Sequence, residues 1–383
     1  MRQAGSRSYN FRMPDVAVIG GGIIGLTSAY FLTRAGLSVA VYDRSDLGRE
    51  ASWAGAGIVP PGNPLRAATP ADRLRAIGSA RFPGFSAELR DLTGIDNGYR
   101  ACGGIEFLTA EDAAVPELWR AEGIAFERLS LADAKQLEPL GDLDGEPYLL
   151  PGCAQVRNPR HLRALIAACE AVGVQLHTNA GAEAWEFDAG KVTAVLLANG
   201  ERVSAGRYLL AAGAWSESLL HPLGQTPHVH PVRGQIALLR GETCSRVLML
   251  GKRYIVPRGD GLTLIGSTEE PEAGFEKRTT PEGVEELLAF ARRTVPPLAG
   301  ATLETAWAGL RPASPDGLPF LGRVPGWNNV FVATGHFRAG VQLSLGTAQA
   351  ITELLTGQPL CVDLSAFALD RTPNASAKSA FRS

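Results

Sequence analysis

The run Asp15-Val16-Ala17-Val18-Ile19-Gly20-Gly21-Gly22-Ile23-Ile24-Gly25 decides how this chain is read. Its apolar residues, bounded by glycine and too few for a helix, read as a buried strand from Asp15 to Gly20. Ile23 to Ala35 reads as a helix that stops at Gly36, a residue suited to the C′ position. Leu37 to Tyr42 reads as a second buried strand. Strand, turn, helix and strand together span about 30 residues, the size of a βαβ half. Gly20, Gly22 and Gly25 form G-x-G-x-x-G at the strand–helix turn, and Asp43 ends the next strand, 18 residues after Gly25. In that context the pattern is a dinucleotide fingerprint. Gly20 permits the tight turn, Gly22 lets the backbone approach a pyrophosphate, and Gly25 allows close helix–strand packing. The helix N-terminus offers unpaired N–H groups to the phosphates. Asp43 is placed to accept hydrogen bonds from ribose hydroxyls.

The fingerprint alone does not separate NAD from FAD. An NAD dehydrogenase would continue into a second mononucleotide half. This chain instead returns with Leu209-Leu210-Ala211-Ala212-Gly213-Ala214-Trp215-Ser216, a buried strand ending in small residues of a kind common in flavoprotein oxidoreductases.

Working outward, helices are expected over Ala71 to Leu92, Arg160 to Val172, Pro281 to Thr294 and Leu345 to Leu355. Strands are expected over Val174 to His177, Lys191 to Leu197, Arg207 to Ala212 and Asn329 to Thr334. His230 to Leu239 and Tyr254 to Gly266 alternate like an antiparallel sheet, with a Gly259-Asp260-Gly261 hairpin turn. The order predicts an α/β chain with a discontinuous Rossmann-like dinucleotide domain (14–60, 150–220 and 306–370) and an antiparallel-sheet substrate domain (61–149 and 221–305). The ends, 1–13 and 371–383, read as disordered tails. The Asn374-Ala375-Ser376 sequon carries little meaning in a cytosolic chain.

With 383 residues the chain has room for two or three domains at roughly 100–200 residues each. Its net charge of -2 argues against nucleic-acid binding. Five cysteines, odd in number and without C-x-x-C, read as reduced thiols and point to the cytoplasm. No run is long enough for a transmembrane segment, and the Arg-bearing start lacks the apolar stretch of a secretory signal. His228 and His230 have no nearby carboxylate or thiol, so no metal is expected.

Further runs carry a resemblance. Glu50-Ala51-Ser52-Trp53-Ala54-Gly55-Ala56-Gly57-Ile58-Val59 resembles the flavin-proximal loop of glycine oxidases, the thiazole-pathway branch of the D-amino-acid oxidase superfamily. Tyr254-Ile255-Val256-Pro257-Arg258, Gly266-Ser267-Thr268, Trp307-Ala308-Gly309-Leu310-Arg311-Pro312 and Gly335-His336-Phe337-Arg338-Ala339-Gly340 resemble that branch too, in the same order from about residue 14 to 371. The resemblance implies a FAD-binding domain of glutathione-reductase type. Beside Gly20, Gly22 and Gly25, the implied FAD contacts are Ile23, Ile24, Asp43, Arg44, Ala51, Ser52, Ala56, Gly57, Ile58, Ala180, His336, Phe337, Arg338, Ala339, Gly340, Val341 and Gln342. The implied substrate contacts are Tyr254, Arg311 and Arg338. Asp43 stands where the family usually has Glu, and Ala339 where it has Asn.

The implied reaction is oxidative deamination of glycine or a small amine or D-amino acid: hydride transfer to flavin N5, then imine hydrolysis. Dioxygen would be the acceptor and hydrogen peroxide a product, with the glycine imine linking to a thiazole synthase system. A homo-oligomer is the family's habit. Arg311 is the expected carboxylate clamp, because a guanidinium fork matches a carboxylate bidentately. Tyr254 would add a second bond, and Arg338 would neutralise substrate or flavin edge. The strand–turn–helix through Gly335 to Gly340 would aim N–H groups at the flavin. His336 is expected to be structural and Glu269 and Glu270 solvated. Gly309 stands where sarcosine-oxidase-like enzymes tether FAD through Cys, so the expected FAD is non-covalent. A sarcosine-oxidase-like enzyme, a quinone-linked D-amino-acid dehydrogenase and a non-enzymatic flavin scaffold remain alternatives.

Overall fold

The strand Val16–Ile19 is buried along its whole length, Val16 and Val18 facing one apolar layer and Ala17 and Ile19 the other. A strand with both faces covered reads as a continuous apolar run, as central strands of parallel sheets do. A computed structural model describes residues 13–241 and 243–372. In it this strand is central to a six-stranded sheet in the order Phe320–Arg323, Val330–Thr334, Arg207–Leu210, Val16–Ile19, Val39–Tyr42, Gln175–His177. All neighbours are parallel except the edge strand Phe320–Arg323. One face carries the helices Ile23–Arg34, Pro70–Thr93, Asn158–Ala171 and Gly340–Thr356. A three-stranded antiparallel sheet, built from Ala182–Asp188, Lys191–Leu197 and Arg202–Val203, covers the other.

A second sheet has eight strands, in the order Thr302–Ala313, His230–Arg240, Leu262–Gly266, Arg253–Pro257, Val247–Leu250, Gly104–Leu108, Glu146–Leu150, Glu127–Arg128. The expected hairpin forms: Gly259 and Gly261 take φ of 74° and 82°, and Arg258 N donates to Leu262 O at 2.8 Å. Helix Pro281–Thr294 packs Leu287, Phe290 and Ala291 on one face of this sheet. Among the described residues no helix is long and apolar enough to cross a membrane.

The structure corrects the expected partition in three places. Helix Pro70–Thr93 falls in the segment assigned to the substrate domain, yet it packs on the first layer. Phe85 meets Tyr30 and Phe31 edge-on, and Tyr30 Oη donates to Glu88 at 2.7 Å. Its apolar face finds its partners across the chain, which local periodicity cannot reveal. The boundary at 305/306 cuts through the strand Thr302–Ala313, whose register with His230–Arg240 runs from Thr302 to Ala313. Arg371, assigned to a tail, is fixed by the buried Asp316 at 2.7 Å and lies 3.9 Å over the ring of Phe320. A buried carboxylate needs a counter-charge, and this one draws the chain end in. Of the expected tails, residues 1–12 and 373–383, with Asn374, lie outside the described residues.

Arg75 anchors helix Pro70–Thr93 to the segment leading into the second layer. Its guanidinium donates to Pro61 O at 2.8 Å and pairs with Glu122, and both side chains are buried. Removing one member of such a pair strands the other charge. Arg75→Met is therefore expected to lower unfolding stability by about 3 kcal/mol, read as a lower urea midpoint; an unchanged midpoint would refute the anchoring role.

Candidate active site

The Gly-rich turn is shaped by what its glycines lack. Gly20 takes φ of 111°, and a Cβ there would overlap the carbonyl oxygen of Ala211. A Cβ on Gly25 would overlap the carbonyl of Gly20, so helix and turn touch. Gly22 is the N-cap and supplies no side-chain cap; Ile23 N instead donates to Ser52 Oγ at 2.9 Å. Asp43 Oδ2 accepts from Gly21 N at 2.7 Å and Oδ1 from Ser45 N at 2.9 Å, which fixes the carboxylate beside the turn. Gly20, Gly22, Asp43, Arg44, Ala51 and Ser52 line one cavity together with Gly181, Ala182 and the stretch Ala211 to Trp215. Arg44 lies 3.5 Å over the ring of Trp215 and pairs with Glu50 at 3.0 Å. Ile24, Gly25 and Ala180 line neither this cavity nor the next: Ile24 packs among the helices, and Ala180 N donates to Asp43 O at 2.7 Å.

A second cavity, which takes in Ile23, shares Ala51 and Ser52 with the first and is lined on its other side by residues of the eight-stranded sheet. Ala56, Gly57 and Ile58 form one wall and the segment His336 to Gln342 another. Gly57 takes φ of 73°, and Arg258 holds this loop by donating to Ala56 O at 2.9 Å, Val156 O at 3.3 Å and Gln155 Oε1 at 2.9 Å. Burial pulls the Arg258 guanidinium down to about 10, so it stays cationic at neutral pH. The last helix begins at Gly340, five residues earlier than expected, because Gly340, Gln342 and Ser344 interrupt the apolar periodicity of its start. Phe337, just before it, takes φ of 44° and donates its N–H to Pro312 O at 2.9 Å.

Tyr254, Arg311 and Arg338 all line this cavity. Tyr254 pairs with Gly266 across the sheet, and a Cβ on Gly266 would lie 2.6 Å from Tyr254 Oη. A Cβ on Gly234 would overlap the Arg311 guanidinium. Two missing side chains thus open the space that these two residues occupy. Arg311 donates to Ser267 Oγ at 2.5 Å and to Thr268 O at 3.1 Å, both neutral acceptors that fix its plane and leave its charge uncompensated. Arg338 lies 5.3 Å from the Phe337 ring and is ion-paired to Glu269.

Glu269 and Glu270 are not the solvated charges the sequence suggested. Glu269 joins Arg338 to Lys252, and Glu270 pairs with the buried Arg233 while accepting from Gln235 Nε2 at 2.8 Å. The sequence reading missed Gly234, Lys252, Ser267 as a support for Arg311, and Arg258 as the holder of the loop. Ser267 and Arg258 lay inside runs already singled out, but their partners are distant in the chain. Among the described residues no group of three or more ligand-type side chains could hold a metal.

The site fits FAD on its own features. Two cavities share Ala51 and Ser52, which allows one long dinucleotide to run through both. The first is lined by Gly20, Gly22, Gly181 and Gly213 with the Asp43 carboxylate among them, and an apolar wall with a helix start bounds the second.

His336 is buried and shares a 3.0 Å hydrogen bond between Nε2 and Thr347 Oγ1. Burial pushes its pKa down to about 3, so the folded ring is neutral while the unfolded ring protonates near 6.5. His336 therefore subtracts stability as pH falls from about 6.5 toward about 3 and nothing above that window. His336→Gln is expected to flatten the loss by up to about 1.4 kcal/mol per pH unit there, measured by urea unfolding at pH 7 and pH 5. Gly234→Ala is expected to deflect the Arg311 tip and weaken small-carboxylate binding about ten-fold, with little change in melting temperature; unaltered binding would contradict the seat described for Arg311.

Comparison with known proteins agrees with this geometry. The family model described as FAD dependent oxidoreductase matches residues 15–354. The glycine oxidase of Pseudomonas aeruginosa is 36% identical over 358 residues, covering 92% of this chain and 98% of that protein. The bifunctional protein ThiO/ThiG of Synechocystis is 33% identical over 93% of this chain and 54% of its own length. The crystal structure of glycine oxidase from Geobacillus kaustophilus superposes with a TM-score of 0.88 at 30% identity, covering 94% of this chain and all of that one. A family model matched over residues 15–354, with a fold shared with these relatives along nearly its whole course, makes this chain a member of the FAD-dependent oxidoreductase family.

Proposed function

We propose that this chain is a glycine oxidase: it oxidises glycine and similarly small amino acids with dioxygen. Glycine, water and dioxygen give glyoxylate, ammonia and hydrogen peroxide. The observation that carries this reading is Arg311, a guanidinium with only neutral partners, facing a cavity walled by the flavin-proximal loop and the His336–Gln342 turn. FAD, when bound, supplies the two-electron oxidation and passes the electrons to dioxygen.

The protein's part is to bind and orient. Arg311 takes the substrate carboxylate as a fork, its plane fixed by Ser267 and Thr268. Tyr254 adds a bond from its hydroxyl. Holding the carboxylate fixes where the α-carbon lies and removes orientational freedom from the reacting pair. His336 is neutral and committed to Thr347, so it is not assigned as a general base, and the substrate amine sheds its proton before or on entry. The apolar wall, with Ala54, Ile58, Ile236 and Met249, limits water around the reacting carbon.

Asp43, Ser52 and the Gly20–Gly25 turn are the proposed holders of the dinucleotide half, with Ala56 to Ile58 and the start of helix Gly340–Thr356 around the ring system. At Gly309 there is no side chain to form a covalent tether, and a Cβ there would lie 2.5 Å from Ala54 Cβ; acid precipitation is expected to leave the yellow colour in the supernatant. The layers built on the six-stranded and eight-stranded sheets are the proposed cofactor and substrate units. The imine formed from glycine, taken up before hydrolysis, is the proposed link to thiazole synthesis, a reading supported by the ThiO/ThiG relatives.

The test is a peroxide-coupled assay with oxygen as sole acceptor, run on glycine, sarcosine and small D-amino acids. Arg311→Ala is expected to lower kcat/KM by about a hundred-fold while the flavin stays bound. Absence of peroxide from every amino acid would refute the reading, and unchanged kcat/KM would remove Arg311 from it.

A further inference from the structure

Glu269 stands on a partition. On one side lies the cavity holding Tyr254, Arg311 and Arg338; on the other lies a neighbouring cavity lined by Glu269, Glu270, Glu282 and Glu286. The two cavities share Lys252, Arg253 and Ser267. The Glu269 carboxylate is ion-paired to Arg338 and to Lys252. Its side chain is 21% exposed and that of Arg338 19%, so the pair is only partly screened by water.

The charges facing the substrate cavity can be followed one at a time. Lys252, Arg253, Arg311 and Arg338 are the cations among its lining residues, and Glu106 is the acid. Arg253 is paired with Glu286, while Lys252 and Arg338 share Glu269. Four cations therefore stand against three carboxylates, which leaves one net positive charge. The cation without a carboxylate partner is Arg311, whose acceptors are a hydroxyl and a backbone carbonyl. A cavity with one open cation suits a ligand with one carboxylate. A second carboxylate on the ligand, reaching toward Arg338, would meet a guanidinium already compensated and the like charge of Glu269 behind it.

We infer that Glu269 is a specificity-determining residue that restricts the cavity to monocarboxylic amino acids by holding Arg338 in an ion pair. This rests on the amino-acid oxidase reading and adds to it a basis for rejecting dicarboxylic amines. Specificity here comes from a repulsive element built beside the attractive one. Glu269 acts through Arg338 and through its field, with no part in the chemistry.

The experiment titrates the flavin-loaded enzyme with malonate and with malonamate, following the flavin absorbance. The two acids share one shape, and malonamate carries a single carboxylate. Wild type is expected to bind malonamate at least about ten-fold more tightly than malonate. Glu269→Gln is expected to shift the ratio at least about ten-fold toward malonate, and Glu269→Asp, which restores the charge, to return it toward wild type. A wild type that binds malonate as well as malonamate overturns the inference, as does a Glu269→Gln ratio equal to that of wild type. If Glu269→Gln yields no yellow protein, the wild-type ratio alone decides. Wild type that binds neither acid and oxidises no amino acid would refute the amino-acid oxidase reading itself.

Discussion

The approach of Gly309 to Ala54 is the contact on which the site depends. The strand Thr302–Ala313, at the edge of the eight-stranded sheet, comes against the short helix Ala51–Ala54. Bulk at position 309 would hold the two apart, since its Cβ would sit 2.5 Å from that of Ala54. Trp307 closes the same seam, donating Nε1–H to Ala54 O at 3.1 Å and meeting Trp53 edge-on. Arg311 lies two residues beyond Gly309 on the same strand. The seam that joins the sheets therefore also sets how far the guanidinium stands from the loop that walls the cavity.

The charges around this seam differ in the partners that hold them. Arg258 is partly buried, and its partners are carbonyl and carboxamide oxygens of two crossing segments. Arg311 is likewise held by neutral atoms, whereas Arg338 is held by a carboxylate. Neutral oxygens orient a guanidinium without cancelling its field, so the first two keep their full charge close to the cavity. FAD, when bound and reduced, would carry negative charge, which the uncompensated guanidinium of Arg311 at the cavity would favour. His336 adds nothing to that balance, because burial keeps it neutral.

Much of the first layer was legible because its signals are local. The strand Val16–Ile19, the helix Ile23–Arg34 and the turn glycines follow from short apolar runs and residue size. Lys191–Leu197 and Pro281–Thr294 match their expected bounds, the first by alternation and the second by proline at its start and amphipathic spacing. The resemblance brought Tyr254, Arg311 and Arg338 to attention, and the fold gathers all three at one cavity. What stayed hidden was set by partners far apart in sequence. Helix Pro70–Thr93 was placed with the wrong layer because its neighbours, Tyr30 and Phe31, lie some way upstream. Glu269 looked solvated because nothing local betrays an ion pair with Arg338. Gly234 carried no signal at all, being an ordinary glycine until the Arg311 side chain is laid across it.

The backbone at Phe337 has one more consequence. A bulky residue held at φ of 44° is in a region that side chains disfavour, at a cost of order 1–3 kcal/mol. Its N–H is tied to Pro312, one residue past Arg311, so the unfavourable geometry links the two arginine-bearing segments. Replacement by glycine would relax the peptide and harden the fold against heat, while loosening the bearing on which both guanidiniums turn. Selection for robustness and selection for turnover would then pull this position in opposite directions.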